Sequence, residues 1–245
     1  MEAASVIKKI TNPYLIFFLG APGSGKGTQA SLMADTFHFP RIETSKLLEA
    51  AFKNAEPGEM ITIDGQEYSI DEQEDRWKNG LICGDAFVVY LVRQRIEQLV
   101  EAEESIILDG FPRTIKQLEL SLDFFIQKFG KEHLLVLYLD VQEEEAVKRN
   151  SFRRICELMR HPILHTKETE GLIQCPLDGS RLVKRILDDP EVIKVRFREF
   201  RNQTLPLVDY FSSKGIPIQN IEAGRSVAEV FQSLSILVNH AVLGK

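Results

Sequence analysis

A glycine-rich stretch near the start of the chain, residues 20–28 with the sequence GAPGSGKGT, constrains the fold most strongly. It follows an apolar run at residues 14–19 and precedes a helix-like segment at residues 29–37. Glycines let backbone N–H groups converge on an anion, a helix N-terminus adds partial positive charge, and Lys26 adds a full charge. The order of strand, loop and helix therefore predicts a phosphate-binding cradle rather than an ordinary turn.

Short apolar runs and helical patterns alternate along most of the chain. Four further strand-like runs occupy residues 39–43, 105–109, 134–140 and 216–221. Helical patterns occupy residues 44–54, 84–102, 115–129, 143–159, 190–211 and 227–242. This alternation predicts a three-layer α/β fold, with a five-stranded parallel sheet covered by helices on both faces. Ligands of such folds bind at the carboxyl ends of the strands.

Two segments interrupt the alternation. Residues 55–79 contain an Asp64-Gly65 pair between short alternating runs, which predicts a β-hairpin over residues 60–70. Residues 160–184 hold scattered proline, glycine, histidine and cysteine without a sustained period. At these lengths, both segments are candidate lids over a binding site.

Composition limits the partners that can be expected. The chain has 245 residues, and its 30 Lys+Arg against 36 Asp+Glu give a net charge of −6, so there is no general attraction to nucleic acid or anionic membranes. Residues 1–9 lack the apolar core of a signal peptide, and no apolar run approaches the ~20 residues that span a bilayer. Three cysteines are too few for a disulfide framework, so a cytoplasmic protein is expected.

A second loop motif lies at residues 108–114, with the sequence LDGFPRT. It follows a predicted strand, so Asp109 and Arg113 should emerge at the same end of the sheet as the glycine-rich stretch. A carboxylate there can organise Mg²⁺ and its waters, and an arginine can grip a phosphate through two hydrogen bonds. The alternative is a polar turn at the end of a strand.

Further arginines follow along the chain. Arg149 and Arg153 are four residues apart on one face of the predicted helix 143–159, beside Arg154, and are interpreted as lacking carboxylates at i±4. An anion is expected to complete such a cluster, the alternative being a solvated helix face. Arg185 and Arg196 bracket the entry to the next helix. Phosphoryl transfer between two polyanions requires several cations, because it depends on positioning and charge neutralisation. The candidates are Lys26, Arg113, Arg153, Arg185 and Arg196.

Together these motifs resemble the adenylate kinases, which are nucleoside monophosphate kinases with the P-loop NTPase fold. The resemblance also includes GLICGD at residues 80–85 and GRSVAEV at residues 224–230, and it spans nearly the whole chain. It implies a monomer with a core domain, a monophosphate-binding insertion and a lid. Their expected bounds are residues 1–43, 80–152 and 188–245 for the core, 44–79 for the insertion and 153–187 for the lid.

The resemblance implies transfer of the γ-phosphoryl group of MgATP to a nucleoside monophosphate. AMP is expected, because Thr44 and Gln117 match residues of the family's AMP site. The five cations above would be catalytic, and Thr28 and Asp109 would hold the water shell of Mg²⁺. By position, the ATP-binding residues are Gly23, Ser24, Gly25, Lys26, Gly27, Thr28, Arg149, Arg153 and Arg225. The AMP-binding residues are Thr44, Leu81, Ile82, Cys83, Gly110, Phe111, Pro112, Arg113, Gln117, Arg185 and Arg196.

One departure from the family concerns the acceptor. Where the family has an arginine that grips the AMP phosphate, this chain has Glu49. Lys46 and Lys53 are expected on the same helical face and are candidates to restore the positive charge. A kinase for UMP, CMP or another monophosphate is therefore an alternative, as is a nucleotide-binding sensor that has lost turnover.

A second departure concerns the lid. Family members that carry zinc have two pairs of ligands, whereas here Cys175 and Asp178 form one pair and Cys156 is followed by Met159 at the second position. His161 or His165 would complete a tetrahedral zinc site. The alternative is a metal-free lid in which the cysteines are packed or exposed.

Overall fold

The computed structural model describes residues 13–100 and 104–244. Residues 1–9 and the last two residues of the predicted helix 84–102 lie outside these ranges. The strands are β1 (Leu15–Gly20), β2 (Arg41–Glu43), β3 (Met60–Ile63), β4 (Gln66–Ser69), β5 (Ile106–Asp109), β6 (Leu134–Asp140), β7 (Arg154–Cys156), β8 (Pro162–Ile163), β9 (Leu182–Val183) and β10 (Ile218–Glu222). The helices are α1 (Lys26–Phe37), α2 (Thr44–Asn54), α3 (Ile70–Lys78), α4 (Asp85–Val100), α5 (Ile115–Phe129), α6 (Glu143–Phe152), α7 (Pro190–Glu199), α8 (Leu207–Ser213) and α9 (Val227–Val238).

The predicted five-stranded parallel sheet is confirmed, with the strand order β10-β6-β1-β5-β2. β1 lies at its centre and is buried along its whole length, as its unbroken apolar sequence requires. On one face, Phe17 packs against the rings of Phe125 in α5 and Phe211 in α8, with centroids 5.6 and 5.4 Å away. On the other face, Ile16 and Phe18 join a core cluster that includes residues of α1 and α9. The central strand thus delivers the glycine-rich loop to a fixed place.

Both interrupting segments carry regular structure. The predicted hairpin is formed by β3 and β4, and Asp64 and Gly65 turn the chain with φ of 50° and 80°. It leads into α3, a helix that the sequence analysis did not predict, and the Ser69 side chain caps this helix by accepting from the backbone N–H of Glu72. In the second segment, β7 pairs with β8 and β9 in a small antiparallel sheet.

Two predicted helix bounds were wrong. The helix expected over residues 143–159 ends at Phe152, because Arg153 adopts an extended conformation and β7 begins. The helix expected over residues 190–211 is divided into α7 and α8 by a π-helical turn, Phe200–Thr204, followed by Pro206. Proline has no N–H to donate, so it interrupts the helical hydrogen-bond ladder. In the described part of the chain, no helix combines the length and apolar character that crossing a membrane would require.

Candidate active site

The glycine-rich loop closes over the carboxyl end of β1. Gly23 has φ +85°, and a Cβ built on it would lie 2.2 Å from the carbonyl oxygen of Ala146, so only glycine fits. Gly25, with φ +93°, is the N-cap of α1 and has open space on the side where a Cβ would project. The Lys26 ammonium donates to the carbonyl oxygens of Gly20 and Ala21, at 2.5 and 2.7 Å. These contacts hold the cation inside the loop.

All five predicted catalytic cations line a single cleft of about 640 Å³ beside this loop. Burial, and then the charges of Arg113, Arg196 and Arg153, lower the pKa of Lys26 to about 7, although Asp109 opposes the shift. Burial and the neighbouring arginines likewise lower the pKa of Arg196 to about 9. Positive charges held together against burial and mutual repulsion are completed by a polyanion, which is the arrangement that phosphoryl transfer needs.

A buried carboxylate that the sequence analysis missed organises two of these cations. The side chain of Asp188 is 0% exposed and accepts from Arg153 Nε at 2.9 Å and also from Arg153 Nη2. Arg196 Nη1 lies 3.9 Å from the same carboxylate and donates to the Leu187 carbonyl oxygen at 3.1 Å. Asp188 therefore fixes both guanidinium groups at the base of the second segment. The only sequence signal was an acidic pair, Asp188-Asp189, before Pro190.

The interpretation of Arg149 and Arg153 needs correction. They do not share a helical face, because Arg153 lies beyond the end of α6. Arg149 is also not unpaired, since its Nε donates to Glu145 at 2.8 Å, one helical turn earlier. Its other nitrogens donate to the carbonyl oxygens of Ala223 and Gly224. Arg149, Arg153 and Arg225 all line the cleft, whereas Arg154 is held by carbonyl oxygens of the second segment.

The predicted ATP-binding residues come together, and the predicted AMP-binding residues do so only in part. All of the former line the cleft, as do Ile82, Gly110, Pro112, Arg113, Arg185 and Arg196. Thr44, Leu81, Cys83, Phe111 and Gln117 are absent from its described lining. Cys83 and Phe111 belong to the hydrophobic core, and burial raises the pKa of the Cys83 thiol to about 11. The acceptor half of the prediction thus mixes lining residues with residues behind them.

Gln117 has a defined orientation. Its Oε1 accepts from the backbone N–H of Arg113 at 2.7 Å, and a backbone N–H can only donate, so the amide nitrogen faces the other way. The residue is 0% exposed, and Nε2 has no hydrogen-bond partner among residues 13–100 and 104–244. A buried donor without a partner is costly, so a ligand that supplies an acceptor would be favoured here. Because Gln117 does not line the cleft, neighbouring side chains would have to move to expose the group.

Ion pairs neutralise much of the charge on the acceptor side. Arg41, which the sequence analysis did not consider, contacts Asp109 at 2.5 Å and Glu43 at 3.1 Å. Burial opposes the charge of Arg41, but the two carboxylates outweigh it and raise the pKa of the guanidinium. Lys46 pairs with Glu43 at 3.4 Å, and Glu49 with Arg160 at 3.2 Å. The carboxylate predicted to hold Mg²⁺ is therefore engaged by an arginine, although Asp109 and Thr28 both line the cleft.

The second segment brings the four candidate metal ligands together. One donor atom from each of Cys156, His161, Cys175 and Asp178 lies within 4.8 Å of the others. His161 Nδ1 lies 3.5 Å from both sulfur atoms and 3.2 Å from the Asp178 carboxylate. His165, the alternative ligand, instead stacks on Phe152 with ring centroids 4.4 Å apart. Two thiols, an imidazole and a carboxylate fit a tetrahedral Zn²⁺ site.

Comparison with known proteins gives a consistent result. A model of the family described as adenylate kinase matches residues 18–216. The chain is 33% identical to the adenylate kinase of Chlamydia abortus, over 93% of this chain and 98% of that protein. It is 32% identical to the adenylate kinase of Archaeoglobus fulgidus, over 91% and 97% respectively, and 33% identical to that of Caldicellulosiruptor bescii, over 90% and 99%. The chain therefore belongs to the adenylate kinase family and is a nucleoside monophosphate kinase.

Proposed function

We propose that the protein transfers the γ-phosphoryl group of MgATP to AMP and releases two molecules of ADP. The observation that carries the proposal is the convergence of five cations, described above, on one cleft beside the glycine-rich loop. The loop would hold the ATP phosphates, and Lys26 would leave its carbonyl partners for their oxygens. Arg113, Arg185 and Arg196 would bind the acceptor phosphate and the transferring group, and Arg153 would bind the ATP side. No side chain needs to move a proton for this chemistry, because positioning and charge stabilisation dominate.

Gln117 supports AMP as the acceptor. Its Nε2 is a donor, and the ring nitrogen N1 of adenine is an acceptor, whereas N1 of guanine and N3 of uracil carry hydrogen. N3 of cytosine is also an acceptor, so this contact favours AMP over GMP and UMP but does not separate AMP from CMP. A site with a donor at this position discriminates against a base that also donates there, because two donors face each other. Thr44 supports the site from behind, since its hydroxyl donates to the Asp109 carbonyl oxygen at 3.2 Å.

Mg²⁺ would neutralise charge on the ATP phosphates when bound with them. The Thr28 hydroxyl and the Asp109 carboxylate are hard oxygen donors of the kind this ion prefers, directly or through water, and both line the cleft. Arg41 would have to share or release Asp109 when the ion arrives.

We also propose that the chain is divided, at the bounds given above, into a core and two parts that move relative to it: an acceptor-binding insertion at residues 44–79 and a lid at residues 153–187. Closure of the insertion and the lid over the cleft would exclude water that otherwise hydrolyses ATP. Three free cysteines support a cytoplasmic location.

Zn²⁺ in the lid is proposed from the four converging ligands described above. Metal analysis of the purified protein should find about one zinc per chain, and Cys175→Ser should remove it. The matched control is Cys83→Ser, because Cys83 lies in the core away from the cluster. Retention of zinc in Cys175→Ser, or its absence from the unaltered protein purified without chelators, would leave the metal-free lid as the correct description.

The test of the function is an assay of ADP formation with MgATP and a panel of AMP, UMP, CMP and GMP. AMP should give the highest kcat/KM. A clear preference for UMP or CMP would keep the chemistry and change the acceptor. Tight ATP binding without ADP formation from any monophosphate would favour the sensor alternative, for which the Glu49 carboxylate on the acceptor side is the motivating observation.

A further inference from the structure

The pair Glu49–Arg160 joins the two segments that interrupt the core. Glu49 lies on α2, Arg160 lies in the second segment, and 111 residues separate them in sequence. Arg160 Nη2 lies 3.2 Å from Glu49 Oε1, with side chains 40% and 27% exposed. An exposed pair of this kind adds little to stability, so its place in the molecule matters more than its strength.

The backbone sets the direction of the Arg160 side chain. Arg160 has φ +59°, a left-handed conformation that is unusual for a residue with a side chain. Its N–H donates to the Cys156 carbonyl oxygen at 3.1 Å, and the Cys156 N–H donates to the His161 carbonyl oxygen at 3.2 Å. Two residues of this tight turn, Cys156 and His161, also belong to the cluster of candidate metal ligands.

Arg160 also belongs to the cation cluster of the cleft. It lines the cleft together with Glu43, Lys46 and Arg185. Burial, followed by the charges of Arg153 and then of Arg160, lowers the pKa of Arg185, while Asp188 and Glu43 act in the opposite direction. The guanidinium of Arg160 is therefore close enough to the acceptor end of the cleft to act on the groups there. Its contact with Glu49 uses Nη2, and residues 13–100 and 104–244 provide no other hydrogen-bond partner for this guanidinium, so the remaining N–H groups can bind a second acceptor.

We propose that Arg160 binds the phosphate of the acceptor nucleotide and that Glu49 is its positioning residue. The inference rests on the proposed function. The family has an arginine at the position of Glu49 on the acceptor helix, whereas in this chain Arg160 of the second segment supplies the positive charge. The Glu49 carboxylate holds the Arg160 guanidinium near the acceptor end of the cleft. Acceptor binding then requires the second segment to be closed, because the guanidinium arrives with it.

This arrangement predicts the opposite sign from simple repulsion by Glu49. If the carboxylate repelled the acceptor, Glu49→Gln would tighten AMP binding. If it positions Arg160, Glu49→Gln weakens AMP binding. The compensation expected from Lys46 is not needed, since Lys46 pairs with Glu43.

The experiment measures binding of AMP and of adenosine by calorimetry, without ATP, in Glu49→Gln, Arg160→Gln and the double variant. Arg160→Gln should weaken AMP roughly tenfold or more, as expected for loss of a charged hydrogen bond to phosphate, and leave adenosine unchanged. Glu49→Gln should shift AMP in the same direction by less, and the double variant should match Arg160→Gln. Exchanging the pair, with Glu49→Arg and Arg160→Glu together, should recover part of the affinity.

Arg181→Gln is the matched control, because Arg181 is an exposed arginine of the same segment and does not line the cleft. Tighter AMP binding in Glu49→Gln, equal losses for AMP and adenosine, or additive effects in the double variant would each overturn the inference. The proposed function is tested separately by turnover of the unaltered protein. If the unaltered protein binds AMP better than adenosine but makes no ADP, the proposed function is rejected, and the role of the Glu49–Arg160 pair in binding the AMP phosphate is retained.

Discussion

The two ends of the cleft recognise charge in different ways. At the donor end, the glycine-rich loop uses backbone geometry and one lysine whose partners are carbonyl oxygens. At the acceptor end, two basic side chains of β2 and α2 are paired with carboxylates, Arg41 with Asp109 and Lys46 with Glu43. Glu49 of α2 pairs with Arg160 of the second segment. The glycine-rich loop therefore presents a lysine held by uncharged oxygens, whereas β2 and α2 must exchange ion pairs to receive an anion.

This difference has an energetic consequence. Uncompensated positive charge at the donor end raises the free energy of the empty protein, and ATP relieves it. Paired charge at the acceptor end lowers the free energy of the empty protein, and the acceptor must replace those pairs. Binding at the glycine-rich loop should therefore depend on a single cation, and binding at β2 and α2 on ion pairs.

The largest effect should follow removal of the lysine in the glycine-rich loop. Lys26→Ala should lower kcat by on the order of 10³-fold, because it deletes the charge on the transferring phosphates, while the fold is retained. Steady-state ADP formation measures the loss, and circular dichroism checks the fold. Lys194→Ala is the matched control, since Lys194 lies on the surface, outside the lining of the cleft, and pairs with Glu191. Near-normal turnover in Lys26→Ala would contradict the assignment of the cradle.

Local features could be predicted from the sequence, whereas contacts between distant residues could not. The glycine-rich loop and the bounds of α2 and α5 were predictable, because local spacing and backbone requirements define them. The carboxylates that pair with Arg41 and Arg160 lie 68 and 111 residues away in sequence, so no local pattern reveals them. For α3 a local signal did exist, in Ser69 and Glu72, and it was obscured by the hairpin before it.

Asp188 anchors Arg153 of the cleft in a buried ion pair, and its replacement tests how much that pair contributes. Asp188→Asn should lower the free energy of unfolding by about 3 kcal/mol, because it leaves the charge of Arg153 without its buried partner. Saturating ATP should recover part of the loss, since its phosphates replace the missing negative charge. Thermal unfolding with and without ATP measures both effects. Asp189→Asn is the control, because this neighbour is exposed and caps α7. Equal stability of the two variants would mean that the buried pair does not anchor the cluster.

A smaller effect should appear as proton uptake at the donor end. Burial lowers the pKa of Lys26 to about 7 in the empty protein, and bound phosphate must raise it, because opposite charge favours the protonated form. At roughly pH 8, Lys26 is mostly deprotonated in the protein without ligand and fully protonated in the complex, so ATP binding should be accompanied by uptake of close to one proton. ATP affinity should accordingly fall by up to about tenfold for each pH unit above that pKa.

Calorimetry in buffers of different ionisation enthalpy counts the protons. Lys26→Arg is the matched control, because arginine stays charged throughout this range and should abolish the uptake. Uptake that persists unchanged in Lys26→Arg would assign the proton to another group.

The smallest effect tests whether the acceptor-end pairs must open for the metal. Arg41 occupies the Asp109 carboxylate, so Arg41→Gln should free that carboxylate and lower the Mg²⁺ concentration needed for half-maximal activity by a few-fold. The same change removes an ion-pair partner of both Asp109 and Glu43. Burial raises the pKa of Glu43, but Arg41 and Lys46 outweigh burial and lower it, so Glu43 is stabilised by this pairing. The free energy of unfolding should therefore fall together with the Mg²⁺ requirement.

This combination distinguishes competition between Arg41 and Mg²⁺ for Asp109 from a purely supporting role of Arg41. If Arg41 only supports Asp109, the variant loses stability and needs as much Mg²⁺ or more. Arg95→Gln is the comparison, because Arg95 is an exposed arginine whose side chain contacts Gln98 and not a carboxylate of the cleft. A lower Mg²⁺ requirement in Arg41→Gln but not in Arg95→Gln would indicate that Asp109 exchanges its ion pair with Arg41 for contact with the metal.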